Sequence, residues 1–126
     1  MGDRSNVFIQ QGQKDGRAFG VGIYSHWHGT TLHSVALDAL PKAASRVGDP
    51  SYFARIIIHN VLATIADPDS ETGFGIYTDS LGEPDNEHDV LVIDANTSRY
   101  WFTPEGCHLM PESAAHSMGK VLATGS

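Results

Sequence analysis

The stretch Asp49-Pro50-Ser51-Tyr52-Phe53-Ala54-Arg55-Ile56-Ile57-Ile58-His59-Asn60-Val61-Leu62, "DPSYFARIIIHNVL", decides how this chain is read. Aspartate suits an N-cap, and proline suits the first helical position, where its missing N–H costs nothing. Apolar residues at Phe53, Ile56, Ile57, Val61 and Ile65 recur at helical spacing. Ala66-Asp67-Pro68 then stops the run. The triple Ile56-Ile57-Ile58 spreads apolar surface over most of the circumference. Such a helix is expected to be central or shared with a second subunit, and the chain to self-associate.

Working back toward the N-terminus, residues 7–9 and 18–23 read as two strands of a hairpin turning at Lys14-Asp15-Gly16. Gly20 and Gly22 permit close backbone approach in the second of them. The hairpin runs into "GIYSHWHGTT", residues 22–31. Thr30 or Thr31 is the expected N-cap of a first helix through Leu32, Val35, Ala36, Ala39, Leu40 and Ala43. Pro41 should kink or divide that helix near Leu40, and Gly48 closes the segment.

Toward the C-terminus, residues 72–78 ("TGFGIYT") and 90–94 ("VLVID") read as strands joined by the acidic loop 79–89. Residues 99–103 suit a fifth strand, and 113–122 at most a short helix. The order hairpin, two helices, hairpin predicts an α+β fold: a mainly antiparallel sheet from two hairpins packed on a pair of helices. A single domain over residues 1–103 with a C-terminal extension at 104–126 is expected.

Composition narrows the function classes. The chain has 126 residues and a net charge of -7, from 15 acidic and 8 basic residues. That balance speaks against non-specific nucleic-acid binding. No apolar run approaches the roughly 20 residues needed to span a bilayer, and "MGDRSNVFIQ" lacks the layout of a signal peptide. The single cysteine, Cys107, suits a reducing cytoplasm.

Three chemistries compete. His26 and His28, if both lie on a strand, project from one face, and with His33 they could hold zinc with an open position. No acidic residue follows at the spacing common in metallohydrolases, so local hydrogen bonding or exposure to solvent is the expected role of one or more of them, and neither metal nor cofactor is expected. Cys107 and His108 are sequence neighbours and do not form a catalytic pair by spacing; no nucleophile elbow or phosphate loop occurs. A ligand pocket assembles more readily. Tyr24, Trp27, Phe74 and Tyr77 offer surfaces for stacking a nucleobase. The helix start at Thr30-Thr31 could bind phosphate through its backbone N–H groups. Arg55 could clamp an anion or pair with Asp85, Asp89 or Asp94, while Asp85, Asn86 and Asp94 could accept from ribose hydroxyls.

The segments "GIYSHWHG", "DPSYFARIIIHNVL", "TGFGI" and "DNEHDVLVID", within residues 22–94, resemble the Thoeris anti-defence sponge proteins of phages. The histidine-rich element around Trp27 and the C-terminal tail depart from that pattern. The resemblance implies an oligomeric α+β protein of the infected bacterial cytoplasm, with nucleotide pockets at subunit contacts. Its members sequester cyclic ADP-ribose-type immune signals without cleaving them. The expected ligand-contacting set is Tyr24, His26, Thr30, Thr31, Arg55, Phe74, Tyr77, Asp85, Asn86 and Asp94. The competing expectation is a hydrolase, either metal-dependent through His26, His28 and His33 or acting on nucleotides through Asp85 and Asp94. A third is a module that binds a host protein. Trp27, out of phase with His26, is expected in the core or at a subunit contact.

Overall fold

The second helix forms where its start signal lies. In the computed structural model α2 spans Pro50–Ile65, with Asp49 at the N-cap and proline in the first turn. The Asp49 carboxylate makes no capping hydrogen bond and instead lies 4.0 Å from the Arg46 guanidinium. The structure describes residues 3–14, 17–67, 69, 72–79, 88–97, 99–103 and 116–117. Expectations for the turn at Asp15-Gly16, for most of the loop 79–89, and for the extension 104–126 outside residues 116–117 lie beyond them.

The architecture is α+β. Strands β1 (Ser5–Lys14), β2 (Arg17–Ser25), β3 (Phe74–Asp79), β4 (Val90–Asp94), β5 (Arg99–Thr103) and the two-residue β6 (His116–Ser117) form one sheet. Its order is β3-β2-β1-β4-β5-β6. The β1–β2 hairpin is antiparallel, with an irregularity between Gln10 and Gly12. The strands read at 72–78 and 90–94 do not form the expected second hairpin. β3 pairs antiparallel with β2, whereas β4 lies parallel to β1, and β4 finds its hairpin partner in β5. The sheet is therefore mixed. Residues 116–117, inside the stretch read as helical, pair with Arg99 and Tyr100.

Helix α1 (Thr30–Asp38) gives way to a 3-10 segment at Leu40–Arg46, the division that Pro41 demands. Its N-cap is Gly29, at φ 52°, and not Thr30 or Thr31. The turn into the helix needs a left-handed residue, and glycine supplies it without a Cβ penalty. A Cβ there would also collide with the Asp3 carboxylate.

Val7, Ile9, Ile23, Leu91 and Ile93 pack with Leu32, Ala36, Leu40, Phe53, Ile57 and Val61 in the larger core. Ile56 and Ile58 flank that core half-buried, while Tyr52, Arg55 and His59 face solvent. Helix α2 is thus amphipathic, and the apolar circumference that argued for a shared helix is largely covered within the chain. The other sheet face carries a smaller cluster of Phe8, Val90, Val92 and Trp101, with Tyr77 against it. No helix among the described residues is long and apolar enough to cross a membrane.

Candidate ligand-binding site

An open cleft of about 530 Å³ lies between the C-terminal half of α2 and the start of β3. His59, Leu62, Ala63 and Ala66 form its helix wall at i, i+3, i+4, i+7 spacing. Phe74 and Thr72 form the strand wall, and Asp67 closes the end. The small residues Ala63 and Ala66 leave the space, and Leu62 and Phe74 make its lining apolar. His28 packs on Phe74 at a ring-centroid distance of 5.1 Å, so one histidine supports the cleft wall. The last carbonyls of α2 lie at this end, and with Asp67 they give the cleft a negative rim. A flat, uncharged ring fits this lining, whereas the negative rim disfavours a phosphate beside Asp67.

The histidines of the opening motif separate. Strand β2 ends at Ser25, so the alternation that would align His26 with His28 ends too. His26 Nδ1 lies 2.7 Å from the Tyr24 hydroxyl, and the His26 ring meets Trp27 edge-on at 5.0 Å. Tyr24 is opposite Gly75 and Ser25 opposite Phe74, so His26 and His28 contact residues on opposite sheet faces. Ser25 Oγ accepts the His28 backbone N–H and lies 3.2 Å from His28 Nδ1. His33 is buried on α1 against Phe102, its Nε2 unpartnered. Burial, more than the neighbouring His88, holds its pKa below the ordinary 6.5. No three His, Cys, Asp or Glu residues among those described stand close enough to share a metal ion.

Trp27 is not in the core: it is 54% exposed, with Gly73 at φ 101° packed beneath its ring. Because the backbone leaves the strand before it, the indole lies over the turn instead of entering the sheet. Asp3 ties this turn down. Its N–H donates to the His26 carbonyl (2.7 Å), its carbonyl accepts from the Gly29 N–H (2.8 Å), and its carboxylate meets His88 Nε2 at 2.5 Å. That carboxylate occupies the approach to the start of α1, while the Thr31 N–H already donates to His28. The phosphate site expected at the exposed Thr30 and Thr31 is therefore opposed by a resident anion.

The remaining expected contacts do not converge. Arg55 is exposed on α2, with no ion pair to Asp89 or Asp94. Tyr77 stacks on Phe8 at 6.3 Å, on the face opposite the helices, and burial pushes its phenol above the ordinary range. Asp94 is buried and accepts the Asn96 N–H at 2.9 Å, an aspartate turn ending β4. Asp85 and Asn86 lie outside the described residues. Of the described members of the expected set only Phe74 lines the cleft, and Tyr24 with His26 forms a bonded pair on the other face. Sequence reasoning missed His59, Leu62, Ala63, Ala66, Asp67 and Thr72. Their signal was a helical face of small residues directly before a helix stop.

No protein-family model matches the chain, and neither a curated protein nor a solved structure matches it.

Proposed function

We propose that the protein binds a small nucleotide without converting it, the base entering the cleft between α2 and β3 and the phosphate extending into solvent away from the Asp67 end. The observation that carries this reading is the apolar cleft of about 530 Å³ with Phe74 as one wall, a volume within the ordinary range for small-molecule sites. Thr72, His59 and Asp67 supply polar groups at the rim for the edge of a base. The cyclic ADP-ribose-type signal implied by the sponge resemblance is the specific ligand of this proposal, and sequestration by a phage-encoded inhibitor its biological form.

The test is mass spectrometry of small molecules released by heat from protein purified out of cells that make such signals. An intact nucleotide is expected, with the amount bound reduced at least tenfold by Phe74→Ala, about the worth of one base–aromatic stack. Release of a hydrolysed product would turn the reading to an enzyme. Undiminished loading of Phe74→Ala would remove the cleft from it.

A further inference from the structure

The sheet ends on one side at β3, and its outer edge has no partner strand among the described residues. The His26 N–H donates to the Gly73 carbonyl at 2.9 Å, and the β2–β3 register runs without interruption from Ser25–Phe74 to Gly20–Asp79. In an antiparallel ladder the bonded pairs alternate. Gly75, Tyr77 and Asp79 therefore turn their backbone groups inward to β2, while Phe74, Ile76 and Thr78 turn theirs outward. Ile76 is 57% exposed at the middle of this edge. Natural edge strands are usually blunted by lysine, proline or a bulge. Residues 74–78, "FGIYT", contain neither residue, and their pairing with β2 shows no bulge.

We propose that β3 pairs antiparallel with β3 of a second copy, joining the two sheets across a dyad at Ile76. The inference does not rest on the ligand reading above. Three features select a second copy over an unrelated strand. First, with the dyad at Ile76 each outward residue meets another outward residue: Ile76 the partner's Ile76, and Phe74 the partner's Thr78. Those pairs close six backbone hydrogen bonds, two for each bonded pair. Secondly, nothing obstructs the pairing. The Tyr77 ring lies inward over Gly22, and Gly75, which falls opposite the partner's Tyr77, has nothing within 4 Å of the space a Cβ would take. Thirdly, a chain of net charge -7 repels its copy over most of its surface, and residues 74–78 bear no charge. Among the described residues, the two-residue β6 at the other end of the sheet offers no comparable ladder.

Sedimentation velocity on the full chain at micromolar concentration tests this directly. A dimer is expected, and Ile76→Lys, which sets two ammonium groups opposite one another at the dyad, should weaken it roughly tenfold or more. Circular dichroism should be unchanged in that variant, because the side chain it replaces is already exposed. In a Cys107→Ser background, Ile76→Cys should oxidise to a covalent dimer, since bonded pairs lie about 5.5 Å apart at Cα, within disulfide reach. A wild-type monomer overturns the proposal. So does a dimer that survives Ile76→Lys undiminished, which would place the contact elsewhere.

Discussion

The two faces of the sheet are built differently from adjacent residues of the same strands. Toward the helices, Val7 and Ile9 meet Ile23, Leu91 and Ile93 beneath Leu32, Ile57 and Val61, an aliphatic core that helix side chains interdigitate. Toward the other side, Phe8 meets Val92, Trp101 and Tyr77, and β2 contributes Gly22 in place of a side chain. That aromatic face buries the Tyr77 hydroxyl, Trp101 Nε1 and Gln10 Oε1 without partners. On the helix face, among the described residues, Ser5 Oγ and His33 Nε2 are buried without partners. The difference teaches that burial alone does not rank the two cores. One is stabilised by apolar area with few costs, and the other offsets part of its area with unsatisfied polar atoms.

The largest effect that could break this comparison comes from large-to-small changes. Ile57→Ala should cost about 2–5 kcal/mol and Trp101→Ala about 3–5 kcal/mol, read from urea unfolding. Trp101→Phe should cost far less than Trp101→Ala, because the lost N–H had no partner. Equal losses in the two Trp101 variants would show that the indole N–H is bonded, and the contrast between the faces would fail.

A smaller effect sharpens the role of glycine. A Cβ on Gly22 would strike the Tyr77 ring, which lies over it toward Phe8. Gly22→Ala should therefore destabilise by about 1–3 kcal/mol, as overpacked sites do. Much of that cost should vanish when Tyr77→Ala is already present, giving a clear coupling in a double-mutant cycle. Additive losses would mean that the ring moves aside freely.

The two faces should also set opposite pH limits. Burial lowers the His33 pKa, so the unfolded chain binds this proton more readily than the folded one. Stability should hold above the ordinary value of 6.5 and fall as pH drops through the folded pKa, and His33→Gln should flatten that acid limb. Burial raises the Tyr77 pKa, so the unfolded chain loses this proton first. Stability should hold below the ordinary value of 10.0 and fall as pH rises beyond it, and Tyr77→Phe should flatten the alkaline limb. Melting temperature against pH for both variants separates the two faces. The smallest change is expected outside both: Arg55→Ala, at an exposed position, should alter stability by less than about 0.5 kcal/mol.

Much of the secondary structure was legible. The Asp49-Pro50 start, the break at Pro41 and the strands at 90–94 and 99–103 were read from local sterics and from apolar period. The candidate site was hardly legible. Reading His26 and His28 as one face assumes that β2 continues, and it stops at Ser25. Reading Thr30 or Thr31 as the cap overlooked Gly29, whose positive φ is set by the approach of Asp3 from far along the chain. Arg55 looked anomalous in an apolar run because the linear string hides that Tyr52, Arg55 and His59 share the solvent side of α2.

What the sequence determined by itself was the identity of the elements other than β6, and the extent of α2, β4 and β5, because capping, proline sterics and side-chain periodicity act within a few residues. Only the tertiary structure decided which strands are neighbours. Apolar alternation says which residues turn inward, but it does not say that β3 joins β2 while β4 crosses to lie parallel beside β1. The same long-range choice divides the three histidines among separate contacts. It also sets Phe74 across from Leu62 and Ala66 in a cleft, and leaves Ile76 on an edge with no partner strand among the described residues. Those arrangements depend on burying two sheet faces at once, a condition no local stretch of the chain contains.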